Sequence, residues 1–400
     1  MESSPQNSVE GNEDELWADG RQSGGYDQSG AKFRAPSSGE NEAPLYITYY
    51  RLAISVRFGL IALQETSPQT PGRELKTPSE FGVVPCTDVS HSGIRPGMQQ
   101  QYSGSHVSFF LVDVFSDKPL EGNPVAVVPE ASRLEESTMQ RIAREFNQSE
   151  TTFLLPPTRS GADWRLRSFT PAGEEAFGAG HNALGAWWWL AESGALTLDA
   201  SGGRFTQQIG DDLLPVDIVC KFGQLLSVGM TQSAPEFGKV YEDLPELAAA
   251  LGLQLSDFIP DRLPIQVVST GAPHMLVPLR DRFAIQRVRP DTARLASVLR
   301  SADGEGCYLF SLDPVSPGSN AHARFFNPTL GIVEDAATGT AAGPLACQLV
   351  KHHLAEDAST IVIEQGHALG RPSLINVYVS GNTVRVSGRC FVSGNGQLLL

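Results

Sequence analysis

Residues 167–190 read Arg-Ser-Phe-Thr-Pro-Ala-Gly-Glu-Glu-Ala-Phe-Gly-Ala-Gly-His-Asn-Ala-Leu-Gly-Ala-Trp-Trp-Trp-Leu, which predicts a strand, a loop and a helix. The strand ends at Pro171, and residues 180–182 form the first turn of the helix. Beyond that turn the helix has almost no polar face, so we expect it to be buried nearly all round. The first N–H groups of a buried helix lack partners and carry a partial positive charge. A helix start that opens onto a cleft can bind an anion, most simply a substrate carboxylate.

The same order of motifs occurs twice in the chain. Arg-x-Phe-x-Pro at 167–171 recurs at 324–328, and each copy precedes a glycine-containing segment and an apolar helix, the second over 344–350. Upstream of each copy, Gly-x-Pro at 122–124 recurs at 271–273. Solenoids have shorter periods and more copies, so this is one half-domain used twice. Chance recurrence of turn residues explains one match but not three in the same order. We therefore expect two buried helices to start at one shared cleft.

The composition is that of an ordinary globular protein with an acidic balance. The chain has 400 residues, 41% of them hydrophobic and 19% charged, with a formal net charge of −15. That charge argues against binding to nucleic acids, which normally requires a basic surface, and against anionic membranes. The negative net charge does not exclude small anionic substrates. A helix start attracts an anion at short range, whereas the diffuse charge of the surface is screened by salt.

The five cysteines favour a reducing, cytoplasmic setting. They are Cys86, Cys220, Cys307, Cys347 and Cys390, and no CxxC motif occurs. An odd number of widely spread cysteines indicates neither a disulfide framework nor a zinc site.

We expect three segments along the chain. Residues 1–104 form an N-terminal appendage, of which 1–41 is rich in polar residues and should be disordered. Its one apolar run carries two arginines and starts too late for a signal peptide, so we expect no membrane span. Residues 105–228 form the N-terminal lobe and 229–382 the C-terminal lobe. The C-terminal strand, 383–400, is a candidate to complete the N-terminal lobe.

The alternation of patterns predicts an α+β fold. Apolar residues at helical spacing over 134–146 and 290–299 predict one amphipathic surface helix in each half. Runs of β-forming residues, among them 151–155 and 383–392, predict the strands. We therefore expect two pseudo-symmetric lobes, each a mixed sheet curled around a central buried helix. Loops at 203–212 and 236–260 are expected to line or cover the cleft.

Glu150 is placed by these patterns at a junction between a helix and a strand. A carboxylate at the rigid edge of a strand can project into a cleft, although position alone favours a solvated junction residue. The spacing of residues argues against a dinucleotide site and against a metal site. Residues 178–185 only approximate the GxGxxG of a dinucleotide site, since the third glycine comes late. Glu150, His181 and Asp335 lack the spacing of metal ligands, so we expect neither a metal nor a cofactor.

With these residues in view, the chain from about 105 to 400 resembles the phenazine-biosynthesis PhzF-like family, relatives of diaminopimelate epimerase. The resemblance rests on several motifs in order: 113–115 (Asp-Val-Phe), 122–124 (Gly-Asn-Pro), 147–150 (Asn-Gln-Ser-Glu), 169–171 (Phe-Thr-Pro), 180–181 (Gly-His), 334–339 (Glu-Asp-Ala-Ala-Thr-Gly) and 365–373 (Gln-Gly…Gly-Arg-Pro-Ser). The family fold has two pseudo-symmetric halves, each a barrel-like sheet around a central helix, with the active site between them. A homodimer is a family expectation.

The resemblance implies an isomerase that moves a proton between carbons without a cofactor. The family's acid/base glutamate falls on Glu150, its histidine on His181 and its aspartate on Asp335. Where the family has Cys-Gly-His-Ala-Thr, this chain has Ala-Gly-His-Asn-Ala at 179–183. These departures leave the chemistry intact but bear on which substrate binds.

The substrate is expected to be a small carboxylate-bearing metabolite, with a role in secondary metabolism. The helix-start residues expected to bind it are Gly180, Asn182, Thr338, Gly339 and Thr340. Neither helix start carries the cysteine that a two-thiol racemase requires. The alternative to an isomerase is a catalytically silent relative that acts as a binding or scaffolding protein. Simultaneous retention of the three candidate catalytic residues argues against it.

Overall fold

The computed structural model describes residues 106–400. The appendage predicted at 1–104, with the disorder expected at its start, lies outside the described residues. Among residues 106–400, no helix combines the length and apolar character needed to cross a membrane.

The elements of the first half lie between residues 106 and 232. Its strands are β1 (His106–Val114), β2 (Asn123–Val128), β3 (Thr151–Leu155), β4 (Trp164–Phe169), β5 (Glu175–Ala176), β6 (Gly202–Ile209), β7 (Asp212–Lys221) and β8 (Gln224–Gln232). Its helices are α1 (Glu136–Phe146) and α2 (His181–Glu192).

The second half holds the remaining ten strands and four helices of the described chain. The strands are β9 (Glu236–Val240), β10 (Gln266–Ser269), β11 (Pro273–Pro278), β12 (Gly306–Ser311), β13 (Ala321–Asn327), β14 (Ile332–Asp335), β15 (Ser359–Gln365), β16 (Ser373–Ser380), β17 (Thr383–Gly388) and β18 (Cys390–Leu399). The helices are α3 (Leu244–Leu251), α4 (Arg282–Arg287), α5 (Thr292–Ser301) and α6 (Gly339–Lys351).

All these strands join one extensive mixed sheet, which confirms the expected combination of helices with a mixed sheet. The pairing of strands occurs twice in the same order. In the first half, β1–β2 is antiparallel, β2–β3 parallel, β3–β4 antiparallel, β4–β6 parallel, and β6–β7 and β7–β8 antiparallel. In the second half, β10–β11, β11–β12, β12–β13, β13–β15, β15–β16 and β16–β17 follow the same sequence of directions. The repetition of motifs in the sequence is therefore also a repetition of strand pairing.

Two further pairings show how the halves are joined. β8 pairs with β17, which connects the last strand of one repeat to the last strand of the other. β18 pairs with β1 as β9 pairs with β10, so the C-terminal strand extends the sheet of the first half. The lobe boundary expected between residues 228 and 229 lies inside β8.

The two central helices are enclosed by the sheet. α2 packs against β1, β2, β3, β8 and β18, which includes strands from both ends of the first repeat. α6 packs in the same way against β10, β11, β16 and β17. α2 ends at Glu192 because Gly194, two residues on, takes a left-handed conformation with φ 76°. Burial on all sides explains why these two helices carry so few polar residues.

Four expectations about individual elements were wrong. The second buried helix begins at Gly339, so Pro344 lies inside it instead of at its start. The segment 203–212, expected as a loop, is largely β6, because every residue of Gly202–Ile209 pairs with β7. The segment 236–260, also expected as a loop, contains β9 and α3. The strand expected over 383–392 is two strands separated at Arg389.

The break at Arg389 has a steric origin. The chain passes so close to Phe115 that a Cβ on Gly388 would lie 2.5 Å from its ring. At this point the chain leaves β17, which pairs with β16 and β8, and enters β18, which pairs with β1. A single glycine thus lets the chain cross from one half to the other.

We predict that Gly185→Leu destabilises the protein by about 1–3 kcal/mol, the usual effect of overpacking a core. Gly185 lies in α2, where an added Cβ would be 2.4 Å from Val125 Cγ1 and 3.0 Å from Val114 Cγ2. Urea unfolding of the variant and wild type measures the change. Gly178→Leu is the matched control, because a Cβ there meets nothing within 4 Å. Equal unfolding free energies for the two variants would contradict the close packing of α2 on β1 and β2.

Candidate active site

Glu150 is held at the junction between α1 and β3. α1 ends at Phe146 because Asn147 takes a left-handed conformation, with φ 50°, and its backbone N–H bonds to Ala143 O. β3 begins at Thr151, immediately after Glu150. The junction is therefore where the sequence placed it, and the glutamate is fixed at the edge of a buried strand.

His181 lies beside Glu150 at the start of α2. Its Nε2 is 3.1 Å from Glu150 Oε2, and the two side chains are 10% and 21% exposed. The atoms are close but poorly aligned, and neither has a hydrogen-bond partner among residues 106–400. The pair therefore leaves a buried acceptor and a buried ring nitrogen without an aligned hydrogen bond.

The surroundings of Glu150 shift its pKa upward. Burial raises the pKa above its ordinary value of 4.5, because the charged form loses its hydration. The nearby His181 opposes this shift, and the negative charge of Asp335 adds to it. A raised pKa makes the carboxylate a stronger base than an ordinary glutamate, which suits a general acid/base.

Asp335 is the third predicted catalytic residue, and it ends β14. Asn123 Nδ2 donates to its Oδ1 over 2.8 Å, and the Thr338 hydroxyl donates to its Oδ2 over 2.5 Å. Asn123 Nδ2 also donates to Ala337 O over 2.9 Å. Because Asn123 begins β2, these bonds tie the first half to the second beside the candidate site.

Gln365 fixes the chain between β14 and α6. Its amide nitrogen donates to Asp335 O over 2.8 Å and to Thr338 Oγ1 over 3.0 Å. Its carbonyl oxygen accepts from Thr338 N over 3.1 Å and from Tyr308 OH over 2.9 Å. The Thr338 hydroxyl, expected to bind substrate, is thus already bonded within the protein and positions Asp335.

Asn182, also expected to bind substrate, holds the loop before α2. Its Oδ1 accepts from Gly180 N over 2.8 Å. Its Nδ2 donates to Ser168 Oγ over 3.0 Å and to Gly178 O over 3.1 Å. These bonds fix the glycine-rich turn in front of the helix, so the asparagine side chain shapes the cleft.

The starts of α2 and α6 line one cavity of about 230 Å³. Gly180 lines it from the first half, and Gly339 and Thr340 line it from the second. No side chain caps either helix. Uncapped N–H groups with the positive end of the helix dipole make this cavity suited to an anionic group. The cavity walls add both polar and apolar side chains, namely Leu184, Gln207, Leu214, Met230, Gln232 and Thr270.

His274 is a residue of this region that the sequence interpretation left without a role. Its Nε2 lies 3.2 Å from Thr340 Oγ1, and its Nδ1 has no hydrogen-bond partner within residues 106–400. Burial lowers its pKa to about 4, so the ring is neutral at physiological pH. Its position directly after the repeated Gly-x-Pro was the one signal in the sequence.

The repeated strands place different residues at equivalent positions. In the pairs β2–β3 and β11–β12, Thr151 and Cys307 are equivalent, so Glu150 corresponds to Gly306. A Cβ on Gly306 would lie 2.4 Å from the Phe325 ring and 3.0 Å from His274 Nδ1. The second half therefore has no room for a carboxylate there.

Asp335, like Glu150, has no equivalent acidic residue in the other half. In the pairs β4–β5 and β13–β14, Asp335 stands where the first half has Ala176. By contrast, the ion pairs beside these positions are repeated: Arg167 binds Glu175 and Arg324 binds Glu334. The Arg–Glu ion pairs are therefore duplicated, whereas Glu150 and Asp335 each occur in one half only.

The buried thiol of α6 is not a substitute base. Cys347 lies inside the helix, and burial raises the pKa of its thiol to about 12. A thiol with that pKa stays protonated at neutral pH, in keeping with the expectation that no two-thiol racemase is present.

Comparison with known proteins shows one family across this region. The family model PhzC-PhzF, described as phenazine biosynthesis-like protein, matches residues 112–398. Trans-2,3-dihydro-3-hydroxyanthranilate isomerase of Pseudomonas fluorescens is 36% identical over 289 residues, which cover 72% of this chain and 96% of the relative. Uncharacterized isomerase YfhB of Bacillus subtilis is 33% identical over 278 residues, which cover 69% and 92%.

Solved structures agree with the sequence comparison. A phenazine biosynthesis protein of the PhzF family from Bacillus anthracis matches with a TM-score of 0.68 at 29% identity, covering 74% of this chain and 100% of that one. A predicted epimerase from Pseudomonas aeruginosa matches with a TM-score of 0.63 at 33% identity, covering 74% and 99%.

We predict that Glu150→Gln stabilises the protein more at neutral pH than below pH 4.5. Because the folded-state pKa of Glu150 is raised, the native protein binds more protons than the unfolded chain above pH 4.5, and wild-type stability falls as pH rises. Glutamine cannot ionise, so the variant does not lose stability in this way as the pH rises. Urea unfolding across the pH range tests this, with the exposed Glu305→Gln reporting the loss of one negative charge. A pH-independent difference between Glu150→Gln and wild type would contradict the shift.

We also predict that two neighbouring substitutions move the pKa of Glu150 in opposite directions. His181→Gln should raise it by removing an attractive positive charge, and Asp335→Asn should lower it by removing a repulsive negative one. Carbon-13 NMR titration of the glutamate carboxyls measures both shifts, with Glu150→Gln assigning the signal. Shifts of the same sign in both variants would show that the three groups do not interact as a cluster.

Proposed function

The chain is an isomerase of the PhzC-PhzF family, and we propose that it moves a proton between two carbons of a small carboxylate-bearing metabolite, without a cofactor and with Glu150 as acid/base. The observation that carries this proposal is the close, unaligned contact between Glu150 and His181. A buried pair with unused hydrogen-bonding capacity is costly in free energy, which favours a role in binding or chemistry over a structural one.

In the proposed reaction, the Glu150 carboxylate takes a proton from one substrate carbon. The electron pair left behind shifts into the unsaturated system of the substrate, and charge accumulates on its carboxylate. The N–H groups at the starts of α2 and α6 would bind that carboxylate and stabilise the charge. Glu150 then returns the proton to a different carbon, so the double bond moves and the net composition is unchanged.

The neighbours of Glu150 support this cycle in different ways. His181 would hold the carboxylate in position and donate to the substrate through the same Nε2 that lacks a partner. Asp335 would keep the pKa of Glu150 raised, so that the proton can be returned. Its bonds to Asn123 and Thr338 keep its charge in place.

We further propose that the halves act as pseudo-symmetric lobes, each a barrel-like sheet around one central helix, that enclose a single pocket. The repeated strand pairing, the enclosure of α2 and α6, and the shared cavity at their starts support this arrangement. We place the change of lobe between β8 and β9, where the pairing pattern restarts. A cleft between two lobes excludes water, which strengthens electrostatic stabilisation inside it.

The substrate class follows from the cavity and from the relatives. A cavity of about 230 Å³ with both amide and apolar walls suits a small, partly polar ring better than a long chain. The Pseudomonas relatives are named for trans-2,3-dihydro-3-hydroxyanthranilate, which makes that compound and related unsaturated cyclic carboxylates the first candidates. A role in secondary metabolism fits this class.

The proposal is tested by isotope exchange. In D₂O the wild type should incorporate deuterium into trans-2,3-dihydro-3-hydroxyanthranilate or a related carboxylate, and Glu150→Gln should lower the rate by about 10²–10⁴-fold. Glu305→Gln is the matched control, since Glu305 is an exposed carboxylate at the start of β12. NMR and mass spectrometry of the recovered substrate give the position and extent of labelling.

Each outcome decides between the alternatives. Exchange that survives Glu150→Gln removes this glutamate from its proposed role. Tight binding of the carboxylate with neither exchange nor isomerisation in the wild type supports a catalytically silent binding protein instead. Exchange that disappears only with chelator points to a metal-dependent reaction.

A further inference from the structure

Three metal-ligating side chains meet outside the candidate active site. His322 lies on β13, Glu364 lies on β15, and His367 lies on the short 3-10 turn that follows β15. His322 and Glu364 are directly opposite in the parallel pair β13–β15. One potential ligand atom from each residue lies within 4.8 Å of the other two.

The cluster lies on the outer face of the second-half sheet. Along β13, Ala321 and Ala323 pack into the core around α6, whereas His322 and Arg324 alternate with them and point to the opposite face. On that face they line a separate cavity of about 550 Å³. The sheet thus separates this cluster from the cleft that holds Glu150.

Glu364 is a fully buried but strongly hydrogen-bonded carboxylate. Its Oε1 accepts from Val315 N over 2.6 Å and from His322 Nδ1 over 2.7 Å, and its Oε2 accepts from Ser316 N over 2.7 Å. These three hydrogen bonds hold the carboxylate in a fixed orientation.

His367 is the third member of the group. Its ring centroid is 5.0 Å from that of His322. Its Nδ1 is buried and has no hydrogen-bond partner within residues 106–400. The hydrogen bond between His322 and Glu364 accounts for two members of the cluster. It does not account for His367 Nδ1, whose lone pair or proton is left without a partner.

We propose that His322, Glu364 and His367 bind a divalent transition-metal ion of the zinc type. Two imidazoles and one carboxylate are a ligand set that suits Zn²⁺ and leaves a fourth position for water. The ion replaces the proton shared by His322 and Glu364, and its charge compensates the buried carboxylate. The amides of Val315 and Ser316 orient the carboxylate as outer-shell partners.

Binding requires a modest contraction of the cluster. Around a tetrahedral zinc ion with bonds of about 2.0–2.2 Å, ligand atoms lie about 3.4 Å apart. The two strand residues are held by the sheet, so His367 on its short turn moves inward. That turn is followed by Arg371, which bonds to Asp113 and to Gly122 O in the first half. A metal ion on His367 therefore also steadies a contact between the halves.

The test uses the full chain, freed of metal with a chelator and then equilibrated with Zn²⁺ or Co²⁺. We expect one bound ion per chain by elemental analysis, visible absorption bands from bound Co²⁺, and a higher unfolding temperature with Zn²⁺. His367→Asn should abolish all three while leaving the far-ultraviolet circular dichroism unchanged. His353→Asn is the matched control, an exposed histidine whose φ of 58° asparagine tolerates.

The contrary results are equally specific. Absence of stoichiometric binding in the wild type overturns the proposal, and so does equal binding in His367→Asn. Binding lost in Glu150→Gln but kept in His367→Asn would place the ion in the cleft instead. Deuterium exchange by the metal-free protein is a separate measurement, so failure here leaves the proposed isomerase activity untouched.

Discussion

Two helices buried on all sides must begin somewhere inside the protein, and their first N–H groups then have no water and no helical partner. α2 and α6 both start without a side-chain cap, and both starts line the same cavity. A buried N–H without a partner costs about 1–3 kcal/mol, so this arrangement is stable only because a cavity keeps the groups accessible. The glycines at the two helix starts leave these groups open to the cavity.

Duplication supplied the scaffold, and divergence of the two copies supplied the chemistry. The strand directions and the Arg167–Glu175 and Arg324–Glu334 pairs occur in both halves. At the position equivalent to Glu150, however, the second half has Gly306, packed against a phenylalanine and a histidine. A single buried carboxyl group with a raised pKa can carry a proton away and return it, whereas two equivalent carboxylates in one small cleft would repel each other.

Several features escaped the sequence because they depend on residues far apart in the chain. His322 and Glu364 are 42 residues apart and meet only through the parallel pairing of β13 with β15. The role of His274 arises from its approach to Thr340 across the second half. The break after Gly388 results from the passage of Phe115, a residue of the other half, so no local pattern marks it.

The sequence by itself determined the duplication, the two apolar helices, the strand-edge position of Glu150 and the family, because these depend on local periodicity and on motifs in order. Its motifs also identified His181 and Asp335 as candidate catalytic residues. Only the tertiary structure decided that Glu150 and His181 are 3.1 Å apart and unaligned. It also showed that the side chains of Asn182 and Thr338 are hydrogen-bonded within the protein. Distances, burial and hydrogen-bond alignment depend on how the two halves pack, and packing between distant segments leaves no periodic signal in a single chain.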